Sequence, residues 1–552
     1  MNMNKLLFSI GLMAVVITGN TGCSKFLDTA NPSYTTEELY NSKTGIDKLL
    51  IDIYARLRTH YNTGKIQYWG TDIYMAAEDN PDAKMFNAYD KSFNSTAGVV
   101  GGYWNNLYKM VQESNMLLAR IKPDMEGMNA AAYKNTVAET KFMRAFAYYY
   151  LVETFGPVPL LTTESAAPVT EVTRAAEQEI YDFIIAELTA AKDVLPAKSS
   201  ARGRVNNAAV TTLLGKVYLT RAYKSFKKSD DFINAAAAFD GVIDDPQQNY
   251  GLLPVFEDVF NENNQNNREV IFAVQYSADK NFTGGGNPQQ SMFGFCITCF
   301  YPDMFSEVQK DYSYMQREFW VNPRAHELYT DPSIDARYEA TFQRSFTINN
   351  PDNNGNGQTG LYFPVWNDRS GDQHGAAIFI PFKDDQDNYQ WYPQVGGYAD
   401  LAKGTDKMPV IKKFKDTKMQ WQGPGTREAM VYRVGDLYLL SAEANLGANN
   451  NGKALQRVNA IRRRAAVNDN VRGQMELGVV NVDVILDERA RELMGEYDRW
   501  FDLKRTGKLI ARTLQYNPQA KAAGNMNANH LLRPIPQDEI NKLKGLSQNK
   551  GY

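Results

Sequence analysis

Apolar residues return at helical spacing through much of the first half of this chain. Trp104, Tyr108, Val111 and Leu118 share one helical face, which Pro123 closes. Ala138, Phe142, Ala145, Tyr149 and Val152 share a second, stopped at Gly156-Pro157. Ile180, Ile184, Leu188, Ala191 and Leu195 form a third that ends at Pro196, and Val210, Leu213, Leu214, Val217 and Tyr218 a fourth. Phe232, Ala236, Phe239 and Ile243 form a fifth, ended by Pro246. Proline stops a helix because it has no N–H to donate and its ring crowds the preceding turn. Helix pairs that alternate small and bulky residues, recurring at roughly 30–70 residues, predict tetratricopeptide-like packing. The strict consensus of that repeat is absent, so the predicted solenoid is a degenerate one. A single pair cannot bury its apolar face, and stacking is the expected solution.

The periodicity then breaks. From Gln247 to about Gly425 the chain is rich in Asn, Gly, Asp, Pro and aromatic residues, with one strand candidate, Glu269 to Tyr276. The run from Asn349 to Gly357 reads as a loop. Irregular stretches of this length inside compact proteins tend to be functional. Helices resume with Glu428 to Leu446, capped by Gly447. Ala454, Leu455, Val458, Ile461 and Ala465 make another stripe, and Leu486, Ala490, Leu493 and Tyr497 the last. The prediction is a mostly α protein with one large, irregular, loop-rich insertion in a helical frame.

The N-terminus carries an export pattern: Lys5, an apolar run from Leu6 to Ile17, small residues at Thr18 to Gly22, then Cys23. The apolar run is too short to span a bilayer. A cysteine after Thr21-Gly22 resembles a lipobox, although Asn20 stands where such motifs usually carry Leu. Acylation of Cys23 is therefore expected, with residues 1–22 removed; a plain secretory peptide is the alternative. Each buried methylene of such an anchor contributes roughly 0.8 kcal/mol, so several chains tether stably.

Composition narrows the chemistry. The formal net charge of the 552-residue chain is −3, so no basic field exists to attract nucleic acid. Cys296 and Cys299 form a lone Cys-Ile-Thr-Cys, too few ligands for zinc, and His60, His326, His374 and His530 show no metal-ligand spacing. A local disulfide is expected between the two cysteines of an exported protein, and neither metal nor cofactor is. Glu488, Glu492 and Glu496 lie four apart, interleaved with Arg489, Arg491 and Arg499, and read as ion pairs rather than an acid–base pair. Arg144 with Glu139, and Glu443, are expected to be interior ion pairs as well. Nucleophile-elbow, zinc-protease and phosphate-loop motifs are missing, so no catalytic residue is nominated.

What remains is binding. Aromatics make up 12% of the chain, and rings beside Asp, Asn, Gln or Arg suit sugars, whose apolar C–H faces carry hydroxyl edges. Two regions have that composition. One precedes the first predicted helix and includes Asp72 and Tyr74; the other lies in the insertion and includes Tyr301, Trp320, Trp366, Trp391 and Tyr392. All seven are nominated as ligand-binding, against the alternative that each fills a core.

Several blocks resemble one family in its order. They are the helix Ala138 to Leu161 with Phe-Gly-Pro-Val-Pro, Gly203 to Leu219, the strand Glu269 to Tyr276 and Asp331 to Tyr338. Tyr432 to Leu446, Ile485 to Leu509 and the Pro534-Ile535-Pro536 tail ending Gln-Asn-Lys-Gly-Tyr complete the set. The chain is identified from them as similar to the SusD/RagB family. Val434-Gly435-Asp436 departs from the pattern, which more often has a larger polar or acidic residue before that helix. The resemblance implies a SusD-like fold of four tetratricopeptide-type helix pairs supporting the irregular half. It also implies a lipid-anchored position at the outer membrane, facing outwards, and a SusC-like TonB-dependent transporter as partner. The ligand it implies is an oligosaccharide, or a peptide as in RagB-like receptors; a surface glycosidase and a purely structural subunit are the remaining alternatives. The resemblance makes Asp72, Tyr301 and Trp320 positional candidates. The expected organisation is signal peptide 1–22, anchor and loop segment 23–103, helical pairs 104–246, ligand-binding insertion 247–426 and C-terminal helical pairs with the tail 427–552.

Overall fold

The computed structural model describes residues 40–76, 81–165, 167–198, 201–277, 279, 286–293, 301–306, 318–368, 370–380, 382–385, 388–391, 409–419 and 425–552. Eight long helices form the frame: α1 Lys43–Thr63, α2 Gly98–Arg120, α3 Ala130–Phe155, α4 Glu177–Lys192, α5 Asn207–Arg221, α6 Asp231–Ile243, α7 Val434–Gly447 and α8 Asn451–Ala465. Each packs on its neighbours in sequence, and α6 packs on α7 across the whole insertion, giving four stacked pairs. Asparagines start several of them: the side chains of Asn129, Asn206 and Asn450 accept from the N–H groups of Ala132, Ala209 and Lys453. Such a cap satisfies an otherwise orphaned donor.

Residues 43–63 correct the expected anchor-and-loop segment. Ile46, Leu49, Leu50, Ile53, Leu57 and Tyr61 recur at helical spacing and are all buried, because α1 is the first half of the first pair and packs on α2. Helix α3 is buried at every position from Phe142 to Phe155, since it touches α1, α2, α4 and α5. Its polar residues therefore need partners. Arg144 pairs with Glu187 at 2.6 Å, not with Glu139, which instead meets Arg204 at 2.7 Å. Glu443 pairs with Arg505 at 2.8 Å. Burial alone would raise the Glu153 pKa, but Lys224 at 2.7 Å and Lys504 bring it down to about 2.

Short strands organise the insertion: β1 Tyr74–Ala76, β2 Val270–Val274, β3 Phe319–Val321, β4 Ser345–Thr347, β5 Thr359–Tyr362, β6 Ile378–Phe379 and β7 Ala429–Arg433. The insertion leaves the frame after α6 and returns through β7, which runs straight into α7. Antiparallel β2–β7 pairing, with Val274 opposite Ala429 and Val270 opposite Arg433, clasps its two ends. Residues 429–433 were expected to start the helix; β-branched and aromatic side chains with a partner strand make them extended instead. The last predicted stripe also divides. Helix α9 (Val482–Glu492) stops before Gly495 at φ +79°, and α10 (Arg499–Arg505) and α11 (Leu509–Tyr516) follow.

A buried ion ladder ties the insertion to the frame. Glu488 accepts from Arg337 at 2.7 Å and from Arg462 and Arg491 at 2.8 Å. Glu492 accepts from Arg433 at 2.8 Å, Arg337 at 3.2 Å and Arg464. Glu496 meets Arg433 at 2.6 Å, and Glu269 meets Arg433 and Arg464 at 3.0 Å. Glu269, Arg337, Glu488 and Glu492 are fully buried. Burial would push the Glu488 carboxyl up, but Arg337, Arg491 and Arg462 hold it well below the usual carboxylate range. This ladder also accounts for Gly435. A Cβ there would run into the Arg433 guanidinium and come within 2.7 Å of Glu492.

Candidate ligand-binding face of the insertion

Pairing of β1 with β3 brings the two nominated regions together, with Tyr74 opposite Val321 and Met75 opposite Trp320. Successive side chains of a strand face opposite sides. Met75 and Trp320 accordingly enter a second apolar cluster with Phe305, Phe346, Leu361 and Phe363, while Tyr74 and Val321 enter the main core. Asn322 extends the junction, donating from its side chain to the Asp72 carbonyl at 2.6 Å.

Burial corrects three of the nominations. Asp72, Tyr74 and Trp320 are 0%, 1% and 5% exposed, so none presents a face to a ligand in this conformation. Asp72 accepts from Arg499 at 2.6 and 2.9 Å and from Arg512 at 2.9 Å. Burial would raise its pKa, but the two guanidiniums, Arg499 foremost, bring it below the ordinary value. Tyr74 accepts from the Gly495 N–H at 2.7 Å, and burial pushes its phenol pKa up. These groups hold α10 and α11 against the β1–β3 ribbon.

Half-buried rings lie on the outside of the second cluster. Tyr301, Met304, Trp366 and Ile378 pack against it without being enclosed. Trp366 satisfies its indole N–H by donating to the Tyr329 carbonyl at 3.1 Å. Tyr362, on β5, places Leu361 inward and its own ring at the surface, 4.5 Å from the exposed His374 ring. Arg344 donates to the Tyr362 hydroxyl at 3.2 Å and to the Phe363 carbonyl at 2.9 Å, with its guanidinium 5.6 Å from the Tyr362 ring. Asn367, next to Trp366, and Asp372 and Gln373, next to His374, are exposed. Half-open aromatic faces beside amide, carboxylate and imidazole groups can stack on a sugar ring and hydrogen-bond its hydroxyls. Tyr362, Arg344 and His374 were not among the nominated residues. Their signal is the alternation of inward Leu361 and Phe363 with outward Tyr362, which is too short to stand out in a loop-rich stretch.

Trp391 ends the strand Asn388–Trp391, opposite Phe382; its side chain, and all of Cys23, Cys296, Cys299 and Tyr392, lie outside the described residues. Among the described residues, no group of three or more His, Cys, Asp or Glu side chains could hold a metal ion. No helix among them is long and apolar enough to cross a membrane.

Residues 268–552 match the family model described as the SusD family, and residues 25–219 match one described as starch-binding associating with outer membrane. The chain belongs to the SusD family. Starch and glycan binding and association with the outer membrane are properties of that family. Over 99% of each chain it is 23% identical to SusD-like protein P2 of Formosa agariphila. It is 25% identical to the starch-binding protein SusD of Bacteroides thetaiotaomicron, across 77% of this chain and 74% of that one. A solved laminarin-binding SusD-like protein shares the fold, with a TM-score of 0.69 and 23% identity over 93% of this chain and 100% of the other. In this SusD-family protein the matched range 268–552 includes the ion-ladder segments Asp335–Arg337 and α9.

Proposed function

We propose that this SusD-family protein captures oligosaccharides at the cell surface and delivers them to a SusC-like, TonB-dependent outer-membrane transporter. Acylation at Cys23, after removal of residues 1–22, would tether it to the outer face of the outer membrane. The ligand-binding insertion spans residues 247–426, between the helical pairs. Family membership supports the glycan class, and relatives named as starch-binding and laminarin-binding proteins agree with it. The observation that carries the reading is the pair of half-buried rings, Tyr301 and Trp366, on the second apolar cluster. The protein would act by binding alone: aromatic stacking for affinity, neighbouring polar groups for orientation, and closure over the transporter for transfer.

The test is a binding screen of the soluble chain from Ser24 against arrays of neutral glycans and of peptides, together with Trp366→Ala. Saturable glycan binding that falls at least tenfold in the variant, with unchanged folding, is the expected result. Binding to peptides alone would replace the glycan reading with a peptide receptor. Release of reducing ends from a labelled polysaccharide would overturn the non-catalytic role.

A further inference from the structure

A half-open cleft of about 600 Å3 lies on the helical frame, and none of its lining residues comes from the insertion. Its floor is α2, with Val111 and Tyr108 beside the buried Trp104, the two rings 4.7 Å apart. One wall is the segment 159–165, whose backbone is fixed from beneath. Tyr148 donates its hydroxyl to the Leu161 carbonyl at 2.8 Å and accepts from the Leu161 N–H at 2.6 Å. Asn115 donates to the carbonyls of Leu161 and Thr163 at 2.9 and 3.2 Å, and Arg144 donates to that of Thr162 at 3.0 Å. The facing wall, Pro168 to Val172, is tied to the C-terminal segment. Val172 donates its N–H to the Lys544 carbonyl and Lys544 donates to Thr170, both at 2.9 Å. Glu539 and Leu543 close one end.

Three properties make this a preformed ligand site rather than a packing gap. Its volume falls within the roughly 300–1,000 Å3 of ligand clefts. Both walls are held by hydrogen bonds to their backbone, so little ordering cost remains on binding. Its surface mixes an aromatic and aliphatic floor with polar rim groups: exposed Thr162, Thr163, Ser165 and Gln112, and the carboxylates of Glu164 and Glu539. Glu164 is fixed by Arg120 at 2.7 Å. The lining includes no lysine or arginine, so an anionic ligand finds no counter-charge, whereas sugar hydroxyls find acceptors and donors around an apolar ring-sized floor. Two blocks that the insertion site leaves without a role, Phe155 to Leu161 and the tail helix after Pro536, meet here.

We infer that this cleft is a second saccharide site, taking a short neutral oligosaccharide, an inference that rests on the glycan-binding reading above. The test is titration calorimetry of the soluble chain from Ser24 with maltohexaose and laminarihexaose, and with trigalacturonate as the anionic counter-probe. Variants are Thr163→Trp and Val169→Trp, both at exposed rim positions, with Trp366→Ala for the insertion. Two binding sites are expected in the unaltered protein for at least one neutral probe. Each rim variant should remove one site or weaken it at least tenfold, Trp366→Ala should weaken the other, and trigalacturonate should not bind. A single site, lost in Trp366→Ala and untouched by both rim variants, overturns the inference and leaves the glycan reading standing. No binding of either neutral probe by any form removes the inference along with the glycan reading for these sugars.

Discussion

Glu492→Gln measures what the ion ladder contributes. Glu492 is fully buried and accepts from three arginines, Arg337, Arg433 and Arg464. Burial would raise its pKa, but these guanidiniums, Arg464 foremost, lower it from 4.5 to about 2. That depression corresponds to about 3 kcal/mol of stability. The sign follows from proton binding. Above pH 4.5 the carboxyl is ionised in both states and the whole contribution is present; as pH falls towards 2 the unfolded chain takes up the proton first, and the contribution is lost. Glutamine keeps the shape, removes the charge and turns an amide donor on to a guanidinium. Urea unfolding of both proteins, followed by tryptophan fluorescence, should give a deficit of about 3 kcal/mol at pH 7. At pH 3.5 the linkage relation leaves about 2 kcal/mol, and the two proteins should converge further below that. A deficit under 1 kcal/mol at pH 7, or one that does not change with pH, would refute the account.

Other substitutions probe separate joints. Gly435→Ala should cost about 1–3 kcal/mol by forcing a methyl into Arg433 and Glu492, whereas Gly473→Ala, which meets open space, should leave the unfolding midpoint unchanged. Asp72→Asn should cost about 3–5 kcal/mol because it leaves Arg499 and Arg512 short of charge in a buried site; loss of glycan affinity without loss of stability would return Asp72 to the ligand surface. Removing 548–552 deletes the Asn549 bonds to the carbonyls of Phe155 and Arg533, the Gln548 bonds to Ile535 and the Tyr552 bond to Leu532. At about 1 kcal/mol each, a loss of roughly 3–5 kcal/mol is expected in the same urea assay, and an unchanged midpoint would show the tail to be dispensable.

The frame was legible because its helices keep an apolar face at helical spacing, and the insertion because that spacing stops. Three features were not. Helix α1 carries a clear stripe, but it stands alone between the export signal and the aromatic region of Asp72 and Tyr74, in a stretch, 23–103, expected as anchor and loop. The break at Gly495 depends on a left-handed φ that only the folded chain reveals. The strand β7 is extended because β2 lies beside it, and β2 is far away in sequence. The site residues were harder still. An aspartate beside tyrosines and a tryptophan has the same composition whether it faces a sugar or an arginine. The partners that decide the matter for Asp72, Arg499 and Arg512, are 427 and 440 residues distant.

That ambiguity has a structural consequence. Charges as deeply buried as Asp72, Arg337 and Glu492 tolerate one arrangement of their partners, because a displaced partner leaves an uncompensated ion in a low-dielectric interior. The insertion has little regular sheet to set its position on the frame, so the ladder and the Asp72 cluster supply the register that hydrogen-bonded strands would otherwise supply. Residues spent on that task cannot also meet a ligand. The aromatics left for recognition are Tyr301 and Trp366, which rest on the second cluster from outside, and half-buried Tyr362; Arg344 holds Tyr362 and the Tyr329 carbonyl holds Trp366. A ligand surface built this way can change its rings without disturbing the joint beneath. Tyr362→Ala should therefore alter glycan affinity and not urea stability, and Arg337→Met should do the reverse.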